Sequence, residues 1–341
     1  MRARIIYNPV SGKEIIKKNL VSILRILEDA GYETSTFETK PEENSAKNEA
    51  SRAAKAGYDL VVAAGGDGTI NEVVNGIAPL EKRPKMGIIP AGTTNDYARA
   101  LKIPRNNILD AARVIAKGQT VNMDIGLAKN DQHEQYFINI GAGGYLTELT
   151  YDVPAKLKSV IGYLAYLVKG AEMLPHVKPA DMHIEYDDDV YDGEASMFFL
   201  ALTNSVGGFE KIVPDARLDD GKFSLIIVKT ANIIEILHLI ALMISGGKHV
   251  KDDRIIYVKT NKCKAWLNNP EERLLINLDG EYGGDAPMEF LNLQQHITFF
   301  ANTDDIPENA ILKQEQDEFV KKVENLTHVD INDDGLIDDY K

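Results

Sequence analysis

The sequence predicts an α/β fold: a three-layer domain built on a parallel sheet, followed by an antiparallel β-sandwich. Over residues 1–124, short apolar runs alternate with helical stripes, and the apolar runs end in glycine, proline or hydroxyl residues. That is the pattern of βα units. After Asp124, apolar or alternating runs recur at residues 136–140, 182–186, 196–202, 223–228, 254–258, 262–267 and 274–278, as in a sandwich of short strands. At 341 residues with 44% hydrophobic content, the chain exceeds one ordinary core and suffices for two.

Residues 5–7 read as the first strand, ending in the turn Asn8-Pro9-Val10-Ser11-Gly12. Leu20, Ile23, Leu24 and Leu27 share a helical face, Gly31 stops that helix, and residues 32–37 form the second strand. An alanine-rich helix over 45–56 leads to a strand at 60–64, a helix at 71–77, a strand at 86–89 and a helix through 109–116. Two helical segments, 155–174 and 233–244, interrupt the sandwich strands. The second is apolar but carries Glu235 and His238 and is too short to span a bilayer. Residues 303–341 are acidic, with a helix expected over 310–323 and a frayed tail beyond. Residues 330–338 imitate the start of an EF-hand loop, but Lys341 stands where the bidentate glutamate belongs.

Composition removes several function classes. With 38 basic and 52 acidic residues, a formal charge of −14 excludes a broad nucleic-acid face. The lone Cys263 excludes an internal disulfide framework, and the start has only a short apolar stretch before Asn8-Pro9, so it reads as a strand rather than a signal peptide. A cytoplasmic location is the expectation. The seven histidines are scattered without metal-ligand spacing.

The most informative stretch is Leu60-Val61-Val62-Ala63-Ala64-Gly65-Gly66-Asp67-Gly68-Thr69-Ile70-Asn71. Glycines let the backbone approach an anion, and the first amides of the following helix point at it. An acid inside such a loop implies a cation between it and the phosphates, and Mg²⁺ suits a site of one or two carboxylates plus water. The ending lacks the Lys-Ser/Thr of a Walker A motif. A third polar turn, Pro90-Ala91-Gly92-Thr93-Thr94-Asn95-Asp96, follows the strand at 86–89, and such turns line the ligand edge of an open α/β sheet.

These three turns, in this order and spacing, resemble the diacylglycerol kinase catalytic-domain family, and most closely its soluble bacterial lipid kinases. The resemblance continues through Asp124, Pro214-Asp215 and Leu278-Asp279-Gly280-Glu281, covering roughly residues 5–300. It implies an ATP- and Mg²⁺-dependent kinase acting on a lipid hydroxyl, most directly diacylglycerol giving phosphatidic acid. It also implies nucleotide contacts from Asn8, Pro9, Val10, Ser11, Gly12, Thr39, Gly65, Gly66, Asp67, Gly68, Thr69, Ile70, Asn71, Glu72 and Thr93. Asp67, Asp96 and Asp124 are implied to lie near a magnesium and water network. Read by themselves, Asp96 equally suits a helix cap and Asp124 a turn. Glu281 follows a strand through an Asp-Gly turn; the family motif implies a general base where the turn alone suggests a solvent-facing acid.

Asp215, the Leu218 carbonyl and Asp220 supply hard oxygens that resemble a structural magnesium site, with a plain acidic loop as the alternative. The stripe over 155–174, flanked by Lys156, Lys158 and Lys169, serves a core or an anionic bilayer surface equally well, and Lys13 joins that basic rim or meets phosphate. Reversible membrane association is therefore expected, no nucleic-acid partner is, and a homodimer is compatible with the sequence. The expected organisation is an ATP-binding domain over 1–124 with 300–325 returning to it, a lipid-substrate sandwich over 125–299, an acidic tail over 326–341, and the active site in the cleft. Kinases of other lipids or of NAD, and a non-catalytic lipid or nucleotide sensor, are the alternatives.

Overall fold

The computed structural model describes residues 1–144, 179–206, 209–210, 213, 216–231, 235, 238–239, 242 and 247–306. The stripe over 155–174, Lys169, Asp215, most of 233–244 and the segment 307–341 with its expected helix and EF-hand imitation lie outside these residues.

Four parallel strands, β1 (Arg2–Tyr7), β2 (Glu33–Glu38), β3 (Leu60–Gly65) and β4 (Lys85–Pro90), form the first sheet in the order β4, β3, β1, β2. Every residue of β3 is buried, as a parallel strand covered on both faces must be. The helices α1 (Ile15–Asp29) and α5 (Ile108–Lys117) pack together on one face, and α2 (Ser45–Lys55) and α3 (Asp67–Ile77) on the other. This gives the three layers. The short α4 (Asp96–Ala100) follows β4. Helix α5 begins where the Asn107 Oδ1 accepts the Leu109 and Asp110 amides at 3.1 and 3.4 Å, and ends at Gly118 with φ 80°. Helix α3 starts at Asp67, one turn earlier than its apolar periodicity predicts. Glycine and a first-turn acid do not register as helix in a hydrophobic pattern, although the acid suits the helix N-terminus.

The second unit is antiparallel. It comprises β5 (Thr120–Lys129), β6 (Glu134–Phe137), β7 (Ile140–Gly144), β8 (Ala180–Tyr186), β9 (Asp189–Ala201), the two-residue pair β10 (Ser205–Val206) and β11 (Phe209–Glu210), β12 (Phe223–Lys229), β13 (Ile255–Thr260), β14 (Lys262–Leu267), β15 (Leu275–Leu278), β16 (Glu281–Asp285) and β17 (Met288–Phe300). Phe137, Phe198, Phe223 and Phe290 fill its core, with Phe137 stacked on Phe223 at 5.7 Å. A separate core holds the first sheet and its helices.

One ribbon joins the two. The start of β17 pairs with β14, its end pairs with β4 in parallel at Phe299 and Met86, and β5 runs antiparallel to it from Lys129 and Glu289 to Thr120 and Phe300. A bulge between Leu293 and Ile297 breaks the register, with Gln295 at φ 49°. Asp124 sits at this break. Its Oδ1 accepts the Gln295 amide at 2.7 Å, its Oδ2 accepts the Gly221 amide at 2.6 Å, and its own amide donates to the Leu218 carbonyl at 2.7 Å.

Candidate active site

The site lies at the C-terminal ends of β1, β3 and β4, where open α/β sheets bind ligands. Three loops meet there through backbone. The Asn8 amide donates to the Ala64 carbonyl at 3.0 Å, and the Ala91 amide to the Gly65 carbonyl at 2.7 Å. A Cβ at Gly92 would lie 2.7 Å from the Gly66 Cα, so the two loops touch only because both residues are glycine. Asn95, at φ 50°, closes the third loop: its Oδ1 accepts the Gly92 amide and its Nδ2 donates to the Gly92 carbonyl, both at 2.8 Å. Within the first loop, the Asn8 Oδ1 accepts the Val10 amide at 3.1 Å.

The glycine loop delivers free donors. Gly66 caps α3 without a side chain, and the first intrahelical bond runs from the Ile70 amide to the Gly66 carbonyl at 3.1 Å. The amides of Asp67, Gly68 and Thr69 therefore face outward as an anion cradle. Asp67 divides its carboxylate. Its Oδ2 accepts the Thr94 hydroxyl at 2.7 Å and the Asn95 amide at 2.9 Å, while Oδ1 is buried with no hydrogen-bond partner among the described residues. A buried, unpaired carboxylate oxygen beside a phosphate cradle fits a hydrated Mg²⁺ shared with phosphate. Among the described residues no cluster of three or more His, Cys, Asp or Glu is arranged for a metal.

Glu281 comes from the other unit and reaches this loop. The turn Asp279-Gly280 has φ 53° and 94°, the two-residue hairpin geometry that Asp-Gly favours, and it joins β15 to β16. A Cβ at Gly68 would lie only 3.3 Å from the Glu281 Oε1. The carboxylate thus stands beside the first turn of α3, next to the glycine loop. Asp279 anchors the turn: its Oδ1 accepts the Asn139 and Ile140 amides at 2.8 and 3.0 Å, and its Oδ2 accepts the Ile138 amide and the Asn71 Nδ2, both at 2.8 Å. Burial raises the Asp279 pKa against these four donors. Asn71 in turn is braced by Asn75, whose Nδ2 donates to the Asn71 Oδ1 at 3.0 Å and to the Tyr136 carbonyl at 2.9 Å.

Other expected site residues fall in several places. Asn8, Pro9, Val10, Ser11 and Gly12 form the loop after β1, Thr39 follows β2 with its amide donating to the Tyr7 carbonyl at 2.9 Å, and Thr93 is exposed in the loop after β4. Ile70 is fully buried in the first core. The Glu72 Oε2 accepts the Ala46 and Lys47 amides at 2.8 and 3.3 Å, capping α2. Asp96 is buried at the start of α4. Asp124 is also buried, and burial raises its pKa, with Asp220 and Asp219 adding to the shift and the two amides opposing it. Leu218 supplies its carbonyl to the Asp124 amide, and the Asp220 Oδ1 accepts the Lys222 amide at 3.1 Å. Lys13 is exposed near Val10.

The roles of Asp279, Asn71 and Asn75 as braces are not visible in the sequence, because each depends on a partner 60 to 210 positions away. Tyr97 is a further residue of this kind. It is fully buried, packs edge-on to Phe299 at 5.0 Å, and its pKa is pushed well up by burial and by the charges of Asp279 and Asp124.

Comparison with known proteins agrees with this layout. Residues 2–128 match the model of the diacylglycerol kinase catalytic domain, and residues 147–300 match that of the YegS C-terminal NAD kinase beta sandwich-like domain. The chain is 54% identical to a Bacillus subtilis diacylglycerol kinase over 87% of its length and 95% of that protein. It is 52% identical to a Staphylococcus aureus diacylglycerol kinase over 91% of its length and 95% of that protein. A Bacillus anthracis crystal structure described as a diacylglycerol kinase superposes with TM-score 0.68 at 25% identity, covering 89% of this chain and 98% of that one. Another Bacillus anthracis structure reaches TM-score 0.76 at 29% identity, covering 89% of this chain and 96% of that one.

Proposed function

The chain belongs to the diacylglycerol kinase family, and we propose that it transfers the γ-phosphoryl group of ATP to the free hydroxyl of diacylglycerol, giving phosphatidic acid at a membrane surface. The observation that carries this reading is the position of Glu281, a carboxylate from the sandwich unit that reaches the first turn of α3 at Gly68. Phosphoryl transfer needs a donor fixed in line with its acceptor, neutralised charge on the transferred group, and a base that orients the nucleophilic hydroxyl. The amides of residues 67–69 hold phosphate, and Glu281 accepts the hydroxyl proton as the O–P bond forms. A magnesium ion held by Asp67, phosphate oxygens and water would neutralise charge on the transferred group.

Asp124 and Asp279 act behind the reacting groups in this reading, the first fixing the bulge of β17 and the second fixing the Glu281 turn. The loop containing Asp215, Leu218 and Asp220 is a structural magnesium site in the same reading, tested by a melting curve that depends on Mg²⁺. Among the described residues no helix is long and apolar enough to cross a membrane. Access to lipid is by surface contact through Lys13 and Lys169.

A radiolabelled-ATP assay with a panel of acceptors tests the function. Label transfer to diacylglycerol dispersed in detergent supports it. Transfer to NAD instead, the reading favoured by the NAD kinase-like description of the C-terminal model, or ATP binding without turnover, overturns it.

A further inference from the structure

A cavity of about 560 Å³ opens at the ends of β1 and β2, lined by the Asn8-Pro9-Val10 loop and by Glu38, Thr39, Lys40 and Pro41. Its size suits a small-molecule ligand. Pro9, Val10 and Pro41 give it apolar walls, and one carboxylate, that of Glu38, stands at the end of β2. That carboxylate is held in place. The hydroxyl of Tyr7, a residue only 7% exposed, donates to the Glu38 Oε2 at 2.7 Å. Burial and the neighbouring Glu38 raise the Tyr7 pKa to about 12, so the phenol remains a donor throughout the working range of pH. Glu38 is exposed, and its other oxygen, Oε1, has no hydrogen bond to any described residue, which leaves it available as an acceptor.

Sheet register fixes where this acceptor lies relative to the phosphate cradle. Ala64 of β3 pairs with Tyr7 of β1, and Tyr7 pairs with Glu38 of β2, so the three stand at one level across the sheet. The glycine loop follows directly from β3, the Asn8 loop from β1 and Thr39 from β2. Two strand spacings, about 10 Å, separate the cradle from Glu38. A nucleoside triphosphate whose terminal phosphate sits under Glu281 extends along this edge, through the Asn8 loop, and brings its sugar to the end of β2. A carboxylate is acceptor-only, and the donors a nucleotide offers next to its phosphates are the ribose hydroxyls.

We propose that Glu38, oriented by Tyr7, accepts a hydrogen bond from a ribose hydroxyl of the nucleotide, while Pro9, Val10 and Pro41 enclose the base. The inference rests on the ATP-dependent reading above and assigns the sugar-recognising group of that site. An acid at the end of the second strand of a βαβ unit plays the same part for the ribose of dinucleotides, by the same geometry.

The test compares kcat/KM for ATP, 2′-deoxy-ATP, 3′-deoxy-ATP and inosine triphosphate in the wild-type enzyme, Glu38→Ala and Tyr7→Phe, with diacylglycerol as acceptor. The wild type should prefer ATP to one of the deoxy nucleotides by about 10-fold, the worth of a charge-assisted hydrogen bond in an open groove. Glu38→Ala should lower kcat/KM for ATP about 10-fold while moving that of the disfavoured deoxy nucleotide less than about threefold, erasing the preference. Tyr7→Phe should weaken the preference without abolishing it. A purely structural Glu38 would lower all four values together, and a carboxylate reading the base would change the ATP-to-inosine triphosphate ratio instead; either result overturns the proposal. Glu38→Gln repeats the comparison should the alanine variant melt early. If the wild type phosphorylates diacylglycerol from ATP but shows no ribose preference, this inference alone fails. If it transfers no phosphate, the functional reading fails first.

Discussion

Replacing Asp279 by asparagine isolates the brace under Glu281. The carboxylate satisfies three backbone amides and the Asn71 side chain, two donors on each oxygen. An asparagine keeps one acceptor oxygen and turns the other end into a donor facing two donors. If the oxygen stays with Asn139 and Ile140, the Ile138 amide is orphaned and the new amide group opposes the Asn71 Nδ2. Asn71 has no easy flip, because its Oδ1 already accepts from Asn75. Each unsatisfied buried donor costs about 1–3 kcal/mol, offset in part because a neutral amide avoids the desolvation that raises the Asp279 pKa. The net expectation is a loss of about 2 kcal/mol, read as a fall in Tm of roughly 3 °C. Because the turn also positions Glu281, kcat should fall while KM for ATP stays within about twofold. Urea unfolding at pH 7 and steady-state kinetics at saturating lipid measure the two effects. A stability change under about 0.5 kcal/mol with unchanged kcat would refute the brace.

Gly92→Ala should destabilise the fold by about 2 kcal/mol, since its Cβ would press on the Gly66 Cα at 2.7 Å and backbone must move; an unchanged melting curve would show that the loops are not in contact. Asp67→Asn should keep the fold, with its amide oxygen still accepting from Thr94 and Asn95, yet lose at least about 10²-fold in kcat/KM at saturating Mg²⁺; near-normal turnover would remove Asp67 from the phosphate site. His296, stacked on Tyr136 at 6.4 Å with its Nε2 2.9 Å from the Ala78 carbonyl, has its pKa lowered by burial. Below about pH 6.5 the unfolded chain therefore takes up a proton that the folded one resists, so stability falls as the medium is acidified from pH 7 to 5.5. His296→Gln should flatten that dependence, and equal slopes in the two proteins would contradict the assignment.

Much of the candidate site's scaffold was legible because it depends on local chemistry. Buried apolar runs ending in Asn-Pro, Gly-Gly-Asp-Gly and Gly-Thr-Thr-Asn mark parallel strands delivering polar loops to one edge, and Asp279-Gly280 marks a tight hairpin. What escaped was long-range. Strand β17 is interrupted by the bulge around Gln295, which shifts its side-chain alternation midway and hides a strand of 13 residues. Glu72 stands four residues after the glycine loop's last glycine and resembles a site residue, yet its carboxylate turns to the amides of α2. The one-turn error at the start of α3 has the same origin, since glycines chosen for close contact carry no hydrophobic period.

In the proposed reaction Glu281, a carboxylate from the sandwich unit, activates the acceptor hydroxyl beside the first turn of α3. Measuring kcat of Glu281→Gln at saturating diacylglycerol with ATP titrated separately distinguishes a lost chemical step from lost binding. The amide keeps the size of the side chain and removes its basicity. Loss of that base should lower kcat by about 10²–10⁴-fold with KM for ATP within about threefold of wild type. A fall in kcat of less than about threefold would contradict it and leave the cradle without a base.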